Sequence, residues 1–371
     1  MAGAVEDVRH MSAAIALARR SLGDSWPNPT VGCVLVKDGR VVGRGWTQPG
    51  GRPHAETEAL RRAGAAAAGA TAYVSLEPCN HTGVTGPCTD ALVEAGVRKV
   101  VVACEDPDPR VNGSGLIRLR DAGLEVVSGV CAAEAAEINA GFFSRIKTGR
   151  PLITLKLATS LDGRIATAHG ESRWITGETA RAWAHGLRAN HDAILVGVGT
   201  ASADNPLLTV RMPGYAARPK VRIVLDARLQ LLLTSKLIAT AKDAPTWIIT
   251  VAGVDPLRAQ AFTDCGVHII EVAPDGNGTV DIFAAMQELG KLGLTRVLVE
   301  GGSHIAGSLL LNGLVDRLVW LRAPLVIGGD GRPAAVGFGV ERLSDAREFV
   351  RTSLVRAGSD IMETYNPRAQ F

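Results

Sequence analysis

A histidine, a glutamate and two cysteines are the residues of this chain whose types and spacing could do chemistry together. His54 and Glu56 sit two apart in GRPHAETEAL, just behind Pro53, and Cys79 and Cys88 bracket NHTGVTGP further on. A His-x-Glu pair alone is a common coincidence, and at a polar helix start it would ordinarily be a solvated first turn. Pro53 suits such a turn, where its missing N–H has no partner to lose, which places His54 and Glu56 at a helix N-terminus. Cys79 follows Pro78 at a strand end, and Cys88 opens another helix, whose dipole and unpaired N–H groups favour a thiolate. One nitrogen and two sulfurs leave a fourth position for water, the pattern of a catalytic rather than a structural zinc. Zinc lowers the pKa of such a water towards neutrality. Glu56, not itself a ligand, can then shuttle protons to a ring nitrogen or a leaving amine.

These parts follow the order of the zinc-deaminase signature, in which the glutamate does not bind metal. The signature separates its cysteines by two residues, whereas here a longer loop intervenes; coordination needs only convergence in space. Taken singly, Cys79 and Cys88 would be small buried residues and His54 a surface one, but their order at strand and helix ends points to a site. His81, in the loop between the cysteines, suits a substrate contact or a plain polar loop equally well. Cys33, Cys104, Cys131 and Cys265 lie in or beside apolar runs and are expected to fill core space.

The elements that must position these groups alternate. TVGCVLVKDGRVVGRGW predicts two strands around the Asp38-Gly39 hairpin signal. The helix behind Pro53, the strand TAYVSL, the helix CTDALVEAG, the strand KVVVAC, the helix GLIRLRDAG and the strand LEVVSG follow. Beyond the basic segment that ends at Arg150-Pro151, strands restart with LITLKLA, AILVGV, VRIVLD, TWIITV, VHIIEV and RVLVE, with helical stretches between several of them. Both halves therefore read as α/β, divided into residues 1–147 and 148–371, without internal repeat or low-complexity segment. At 371 residues, 46% hydrophobic and 21% charged, the chain is long enough for two globular cores. The net charge of +3 is spread rather than gathered into a basic stripe with aromatics, which argues against a nucleic-acid partner. MAGAVEDVRHMSAAIALARR has acidic residues and no sustained apolar core, so no signal peptide is expected, and no apolar run is long enough to cross a membrane. Six irregularly spaced cysteines suit a reducing cytoplasm rather than a disulfide framework.

In the second half there is no GxGxxG after the first strand, so a Rossmann dinucleotide site is not indicated. RVLVEGGSHIAGSLLLNG instead predicts a strand, a glycine pair and a helix. Glycines admit a phosphate close to the backbone and helix N–H groups can bind it, although a simple strand-to-helix turn reads the same way. SLDGRIA carries a turn signal at Asp162-Gly163.

Taken together, PNPTVGCVLV, PHAETEAL, LEPCNHTG and PCTDALVEAGVRKVVVACEDPDPRVNGSG resemble the deaminase half of the bacterial bifunctional riboflavin-biosynthesis deaminase/reductases. LKLATSLDGRIA, GESRWIT, LRANHDAILVGVGTASADNPLLTVR and VEGGSHIAGSLL resemble their reductase half. The resemblance spans nearly the whole chain in the family's order. It implies a cytidine-deaminase-like α/β sandwich followed by a dihydrofolate-reductase-like α/β domain. It further implies that His54, Cys79 and Cys88 hold one zinc ion, that Glu56 is the proton donor, and that the substrate is 2,5-diamino-6-(5-phosphoribosylamino)pyrimidin-4-one.

For the reductase half the resemblance implies NADPH as cofactor and reduction of the ribosyl side chain to ribityl. It implies that Ala158, Trp174, Thr200, Asp204, Gly302, Ser303, His304, Ile305, Ala306, Gly307 and Ser308 meet the cofactor. Ser172, Arg188, Leu208, Arg211 and Glu300 take substrate positions, the arginines suiting a phosphate by their fork geometry. Lys156, Asp204 and Glu300 are the groups to consider for proton delivery, although Asp204-Asn205-Pro206 also reads as a turn that only shapes a pocket. A homodimer or larger assembly through the reductase half is implied as well.

In one place the chain departs from the family, whose loop usually reads HTG, a basic residue, then TPPC; here Val84 and Gly86 stand at the changed positions. Unless position 84 faces solvent, a lysine there would reach substrate phosphate and lower the deaminase KM, a contact that Arg52 or Arg110 could supply instead. Two rivals remain at this point: a zinc nucleoside or tRNA deaminase with a non-catalytic second domain, and a non-catalytic zinc-stabilised protein, which would need a closed four-ligand site.

Overall fold

A computed structural model describes residues 2–215, 218–337 and 339–368. The chain divides into two compact units, Met1–Gly149 and Arg150–Phe371. The break expected after residue 147 falls in the last turn of the first unit's final helix.

The first unit runs α1 (Ala2–Ala18), β1 (Gly32–Lys37), β2 (Arg40–Trp46), α2 (Ala55–Ala63), β3 (Thr71–Val74), α3 (Cys88–Glu94), β4 (Lys99–Val102), α4 (Ser114–Asp121), β5 (Glu125–Ser128), α5 (Ala132–Ile138) and α6 (Ala140–Thr148). Its sheet has the order β2-β1-β3-β4-β5, antiparallel on either side of β1 and parallel from β3 to β5. The hairpin turns on Asp38 and Gly39, both at positive φ as an Asp-Gly turn requires. Strand residues alternate between two cores. Cys33, Leu35, Ala72, Val74, Val100 and Val102 bury with Ala55 and Ala59 of α2 and with Leu116 and Leu119 of α4. Val34, Val36, Tyr73 and Val101 bury on the opposite face with Met11, Ala14 and Ala18 of α1. A Cβ on Gly45 would stand 2.0 Å from the Ala55 carbonyl oxygen, and one on Gly43 2.4 Å from that of Ala59. The bare glycines of β2 thus let α2 lie directly on the hairpin, which sets the height of the helix start that carries His54.

The second unit runs β6 (Leu152–Thr159), β7 (Arg164–Ala166), α7 (Glu178–Ala189), β8 (Ala193–Gly197), α8 (Val198–Asp204), β9 (Val221–Leu225), α9 (Lys236–Ala239), β10 (Thr246–Val251), α10 (Pro256–Asp264), β11 (His268–Val272), α11 (Ile282–Lys291), β12 (Arg296–Val299), α12 (Ser303–Leu311), β13 (Arg317–Arg322), β14 (Arg332–Pro333), β15 (Phe349–Ala357) and β16 (Asp360–Pro367). Nine strands form one sheet in the order β11-β10-β9-β8-β12-β6-β13-β16-β15, parallel up to β13 and antiparallel beyond it. The six apolar runs of the sequence are the strands β6, β8, β9, β10, β11 and β12, to which β13 adds a seventh parallel member. Because β6, β8 and β12 are parallel neighbours, the loops leaving their C-terminal ends gather at one edge, where α/β sheets bind ligands. Among the described residues, no helix is long and apolar enough to cross a membrane.

Candidate active sites

His54 is the N-cap of α2, in extended conformation, so its imidazole leaves the helix axis while Ala55 and Glu56 enter the first turn. Pro53 therefore stands outside the helix, one residue before the cap, rather than in the first turn as its N–H chemistry alone suggested. Cys88 is the first residue of α3, and the Cys79 sulfur accepts a hydrogen bond from its backbone N–H at 3.4 Å. The His54 Nδ1 lies 3.3 Å from the Cys88 sulfur and 3.6 Å from that of Cys79, and all three ligand atoms lie within 4.8 Å of one another. Zn–N and Zn–S bonds at tetrahedral angles hold nitrogen and sulfur ligands about 3.5 Å apart, so this donor set fits zinc without rearrangement. No fourth histidine, cysteine or carboxylate joins the group among the described residues, as a site with a place for water requires.

Glu56 is 3% exposed. Burial pushes its carboxyl up to about 7, against the opposing charge of His54 and a hydrogen bond from Cys88. The Cys79 sulfur is pulled down to about 4, first by the hydrogen bond from the Cys88 thiol and then by those from His54 and the Cys88 backbone. One sulfur thus collects the donors of its neighbours, while donation to Cys79 and burial push the Cys88 thiol up.

Around this centre, Val84 is 86% exposed and turns to solvent. Arg52 instead lies along the loop, donating from Nη1 to the Thr85 hydroxyl at 2.8 Å, and its charge acts on His54. Arg110 is committed to Asp108 through Nε and Nη2. His81 is half-buried, with Nδ1 lacking a hydrogen-bond partner. Of the remaining cysteines, Cys33 is fully buried and Cys104, Cys131 and Cys265 pack against the cores from partly buried positions. Sequence reading passed over Glu77, two residues before Cys79; only its burial beneath α4 marks it.

In the second unit, the edge formed by β6, β8 and β12 brings several expected residues together. Lys156 and Ala158 lie near the end of β6, Thr200 and Asp204 lie on α8 just beyond β8, and Glu300 follows β12. Gly301 and Gly302 then turn at φ 112° and 83° into α12, whose N-cap Gly302 offers no side chain to its first turn. A Cβ on Gly301 would meet nothing within 4 Å, and one on Gly302 would meet only the Thr200 hydroxyl, at 3.4 Å. This bare helix start, open to its surroundings, fits a phosphate of a dinucleotide. Ser303 and His304 stay accessible at that end, and Ser308 is half-buried further along. Ile305, Ala306 and Gly307 face the interior, where a Cβ on Gly307 would press on the Val336 carbonyl at 2.9 Å.

Ser172 and Trp174 lie on the loop after β7, which Arg173 ties to α8 by donating to the Asp204 carbonyl at 3.0 Å. Trp174 is largely exposed under the Arg181 guanidinium and lines a cavity of about 330 Å³ with Thr176, Leu325 and Asp360. Leu208 is buried in the core at positive φ, so its side chain is not offered to a ligand. Arg188 does not present a free fork: it holds Glu300 and the Thr209 carbonyl. Arg211, two residues after Thr209, is exposed. Lys156 has its pKa lowered by burial, with the Glu300 charge opposing.

Comparison with known proteins matches both units. Residues 5–104 match the cytidine and deoxycytidylate deaminase zinc-binding region, and residues 151–361 match the RibD C-terminal domain. The chain is 41% identical to the riboflavin biosynthesis protein RibD of Escherichia coli (strain K12), over 96% of this chain and 98% of that protein. It is also 41% identical to the protein of the same name from Bacillus amyloliquefaciens, over 97% and 96%. Among solved structures, Acinetobacter baumannii RibD superposes with a TM-score of 0.89 at 37% identity, covering 99% of this chain and 100% of that one. A diaminohydroxyphosphoribosylaminopyrimidine deaminase/5-amino-6-(5-phosphoribosylamino)uracil reductase from Thermotoga maritima gives 0.87 at 31% identity, with the same coverage.

Proposed function

The chain belongs to the family of bifunctional riboflavin-biosynthesis deaminase/reductases, and from that premise we propose how its residues divide the work. It is a zinc-dependent deaminase joined to an NADPH-dependent reductase, a hydrolase and an oxidoreductase in one chain. The folds are the cytidine-deaminase-like α/β sandwich and the dihydrofolate-reductase-like α/β domain. The reductase match over residues 151–361 sets aside a non-catalytic second domain. We assign the deaminase to residues 1–147 and the reductase to 148–371. The substrate is 2,5-diamino-6-(5-phosphoribosylamino)pyrimidin-4-one, deaminated and then reduced to 5-amino-6-(5-phosphoribitylamino)uracil.

The observation that carries the deaminase assignment is the convergence of His54, Cys79 and Cys88 beside a buried Glu56. His54 through Nδ1 and the two sulfurs hold the metal, which when bound supplies a water acidic enough to attack near neutral pH. Glu56 carries two protons in turn: one from the attacking water to the ring nitrogen, then one from the newly added hydroxyl to the departing amine as the C–N bond breaks and the carbonyl forms. Its buried place at the start of α2 keeps that carboxylate from exchanging the proton freely with solvent.

In the reductase, the Gly301-Gly302 turn and the start of α12 hold phosphate of NADPH, which when bound supplies the hydride, with Thr200 and Trp174 beside it. Opening the ribose ring requires a proton on its departing ring oxygen. Lys156 suits this donation, because burial makes its ammonium more acidic. Asp204 is better placed to brace the Arg173 loop. Assembly as a homodimer or larger oligomer through this unit is supported by β15, an outer strand that exposes Val350 and Leu354. The free state of all six cysteines suits the cytoplasm.

The test is purified protein given the diamino substrate and NADPH, with ammonia release and NADPH oxidation followed separately. Glu56→Gln should keep its zinc and reduce supplied deaminated substrate normally, while deamination falls by roughly a hundredfold to ten-thousandfold. Near-normal deamination by this variant would remove Glu56 from the mechanism.

A further inference from the structure

Glu77 is 3% exposed and its carboxylate accepts only backbone N–H groups: Gly115 at 2.8 Å and Leu116 at 3.3 Å on Oε1, Gly113 at 3.0 Å and Asp106 at 3.1 Å on Oε2. Gly113 is the N-cap of α4 and has no side chain with which to cap it. A residue from a distant strand end thus does what a serine or aspartate cap ordinarily does, and its negative charge sits at the positive end of the helix. The approach is close. A Cβ on Gly115 would stand 2.3 Å from the Pro78 carbonyl oxygen and 3.0 Å from Glu77 Oε1, so glycine is required there. On the other side of Cys79, the Asn80 amide donates to the Ser114 carbonyl at 3.3 Å and its oxygen accepts from the Thr89 hydroxyl at 3.1 Å. The Thr89 N–H in turn donates to the Cys79 carbonyl at 3.3 Å. Cys79 is therefore fastened before and after to α4, and through Thr89 to the helix that begins with Cys88. α4 is itself held in the core by Leu116 and Leu119.

We propose that Glu77 is a positioning residue for the metal centre: by capping α4 from below it fixes the segment that carries Cys79 and so sets the spacing of the two thiolates. The proposal rests on the assignment of His54, Cys79 and Cys88 as zinc ligands. In Glu77→Gln an amide NH₂ replaces one oxygen and faces backbone N–H donors, so part of the fastening is lost at nearly constant volume.

The test uses the full-length chain loaded with one zinc per molecule and measures zinc transfer to the chromogenic chelator 4-(2-pyridylazo)resorcinol. Circular dichroism establishes that each variant is folded at the temperature used. Groups behind metal ligands typically hold about ten- to a hundredfold of metal affinity. Glu77→Gln should weaken zinc binding by about tenfold or more. Val100→Ala, a destabilising change in the same core that removes none of these hydrogen bonds, should leave it within about twofold. Wild-type zinc affinity in Glu77→Gln, or equal weakening in Val100→Ala, overturns the proposal. Should Glu77→Gln fail to fold, Gly115→Ala tests the same contact by pushing α4 off Pro78 with the carboxylate kept. Weakened zinc binding there supports the proposal, and unchanged binding overturns it. A wild-type chain that takes up no zinc would instead overturn the ligand assignment beneath it.

Discussion

Arg188 grips Glu300 with two arms of its guanidinium, Nε donating to Oε1 at 2.5 Å and Nη2 to Oε2 at 2.7 Å, while Nη1 donates to the Thr209 carbonyl at 2.8 Å. Three of the five N–H groups are engaged, and the Nε–Nη2 fork that would suit a substrate phosphate is turned on Glu300. Burial alone would push the Glu300 carboxyl up; the Arg188 charge and hydrogen bonds, with Lys156 and His185, outweigh it and hold it down to about 2. Glu300 is thus an anion at working pH and a poor proton donor, in keeping with the role proposed for Lys156. Arg188→Ala strands a buried carboxylate, a change that typically costs about 3–5 kcal/mol, so it should lower thermal stability as well as abolish reduction. Arg211→Ala should leave stability unchanged and raise the reductase KM for the phosphorylated substrate about ten- to a hundredfold, the weight of one hydrogen bond to a charged group. Calorimetry and steady-state reduction separate the two variants, and an unchanged KM in Arg211→Ala would release that residue from the phosphate.

Gly302 should tolerate no side chain. Its φ of 83° strains any L-residue, and its Cβ would point towards the Thr200 hydroxyl at 3.4 Å. Gly302→Val is expected to raise the NADPH Kd at least tenfold or to stop reduction, with deamination untouched. Fluorescence titration with NADPH checks it; wild-type affinity would move the phosphate site away from this turn.

What the sequence made legible follows from how locally each feature is encoded. The zinc residues could be read because their donor types are rare and because His54 and Cys88 stand at helix starts with their own local signals. The inner strands β6, β8, β9, β10 and β12 could be read because both their faces are buried, which makes them continuous apolar runs, and β11 at the sheet edge by its apolar residues between the exposed His268 and Glu271. β13, β15 and β16 escaped that reading. In β15 the residues from Val350 to Leu354 are all exposed, so no burial pattern distinguishes it. Pro53, expected in the first turn, stands two residues before the helix begins, because local N–H chemistry cannot say whether a proline stands inside a helix start or just before its cap. The pairing of Arg188 with Glu300 spans 112 residues, and the capping of α4 by Glu77 joins a strand end to a helix over 38. Such contacts belong to the tertiary fold, not to any local pattern.

Acid should weaken the reductase unit in a window set by His191. Its imidazole is buried, Nδ1 donating to the Leu187 carbonyl at 2.6 Å and Nε2 accepting from the Thr154 hydroxyl at 2.8 Å. Burial, helped by the charges of Arg296, Arg317 and Lys220, lowers its pKa to about 3. The unfolded chain, with an ordinary histidine pKa near 6.5, takes up the proton first. Stability is therefore full above about pH 6.5 and falls as pH drops towards 3, by at most about 1.4 kcal/mol per pH unit. His185, whose pKa burial also lowers, adds to the same trend, whereas the buried Glu300 contributes only below its unfolded value near 4.5. His191→Gln should consequently lose less stability than the parent between pH 6.5 and 5, though it starts from a lower value. Denaturant unfolding at both pH values measures this, and an equal loss in the two proteins would exclude His191 as the cause.

The loop over the zinc site leads to the last expectation, which reverses the one drawn from sequence. If position 84 faced the substrate, a lysine there would tighten binding; Val84 is 86% exposed, so its side chain addresses solvent. The cation near the centre is Arg52, whose Nη1 donates to Thr85 and whose Nη2 would lie 3.0 Å from a Cβ on Gly83. Arg110 is held by Asp108 and cannot serve as freely. Arg52→Ala should therefore raise the deaminase KM about ten- to a hundredfold with reductase kinetics unchanged, and the gap between variant and parent should narrow at high salt as the charge is screened. Val84→Lys should change neither. Steady-state deamination by the three proteins at low and high ionic strength decides the matter. A lower KM in Val84→Lys together with an unchanged one in Arg52→Ala would return the substrate contact to position 84.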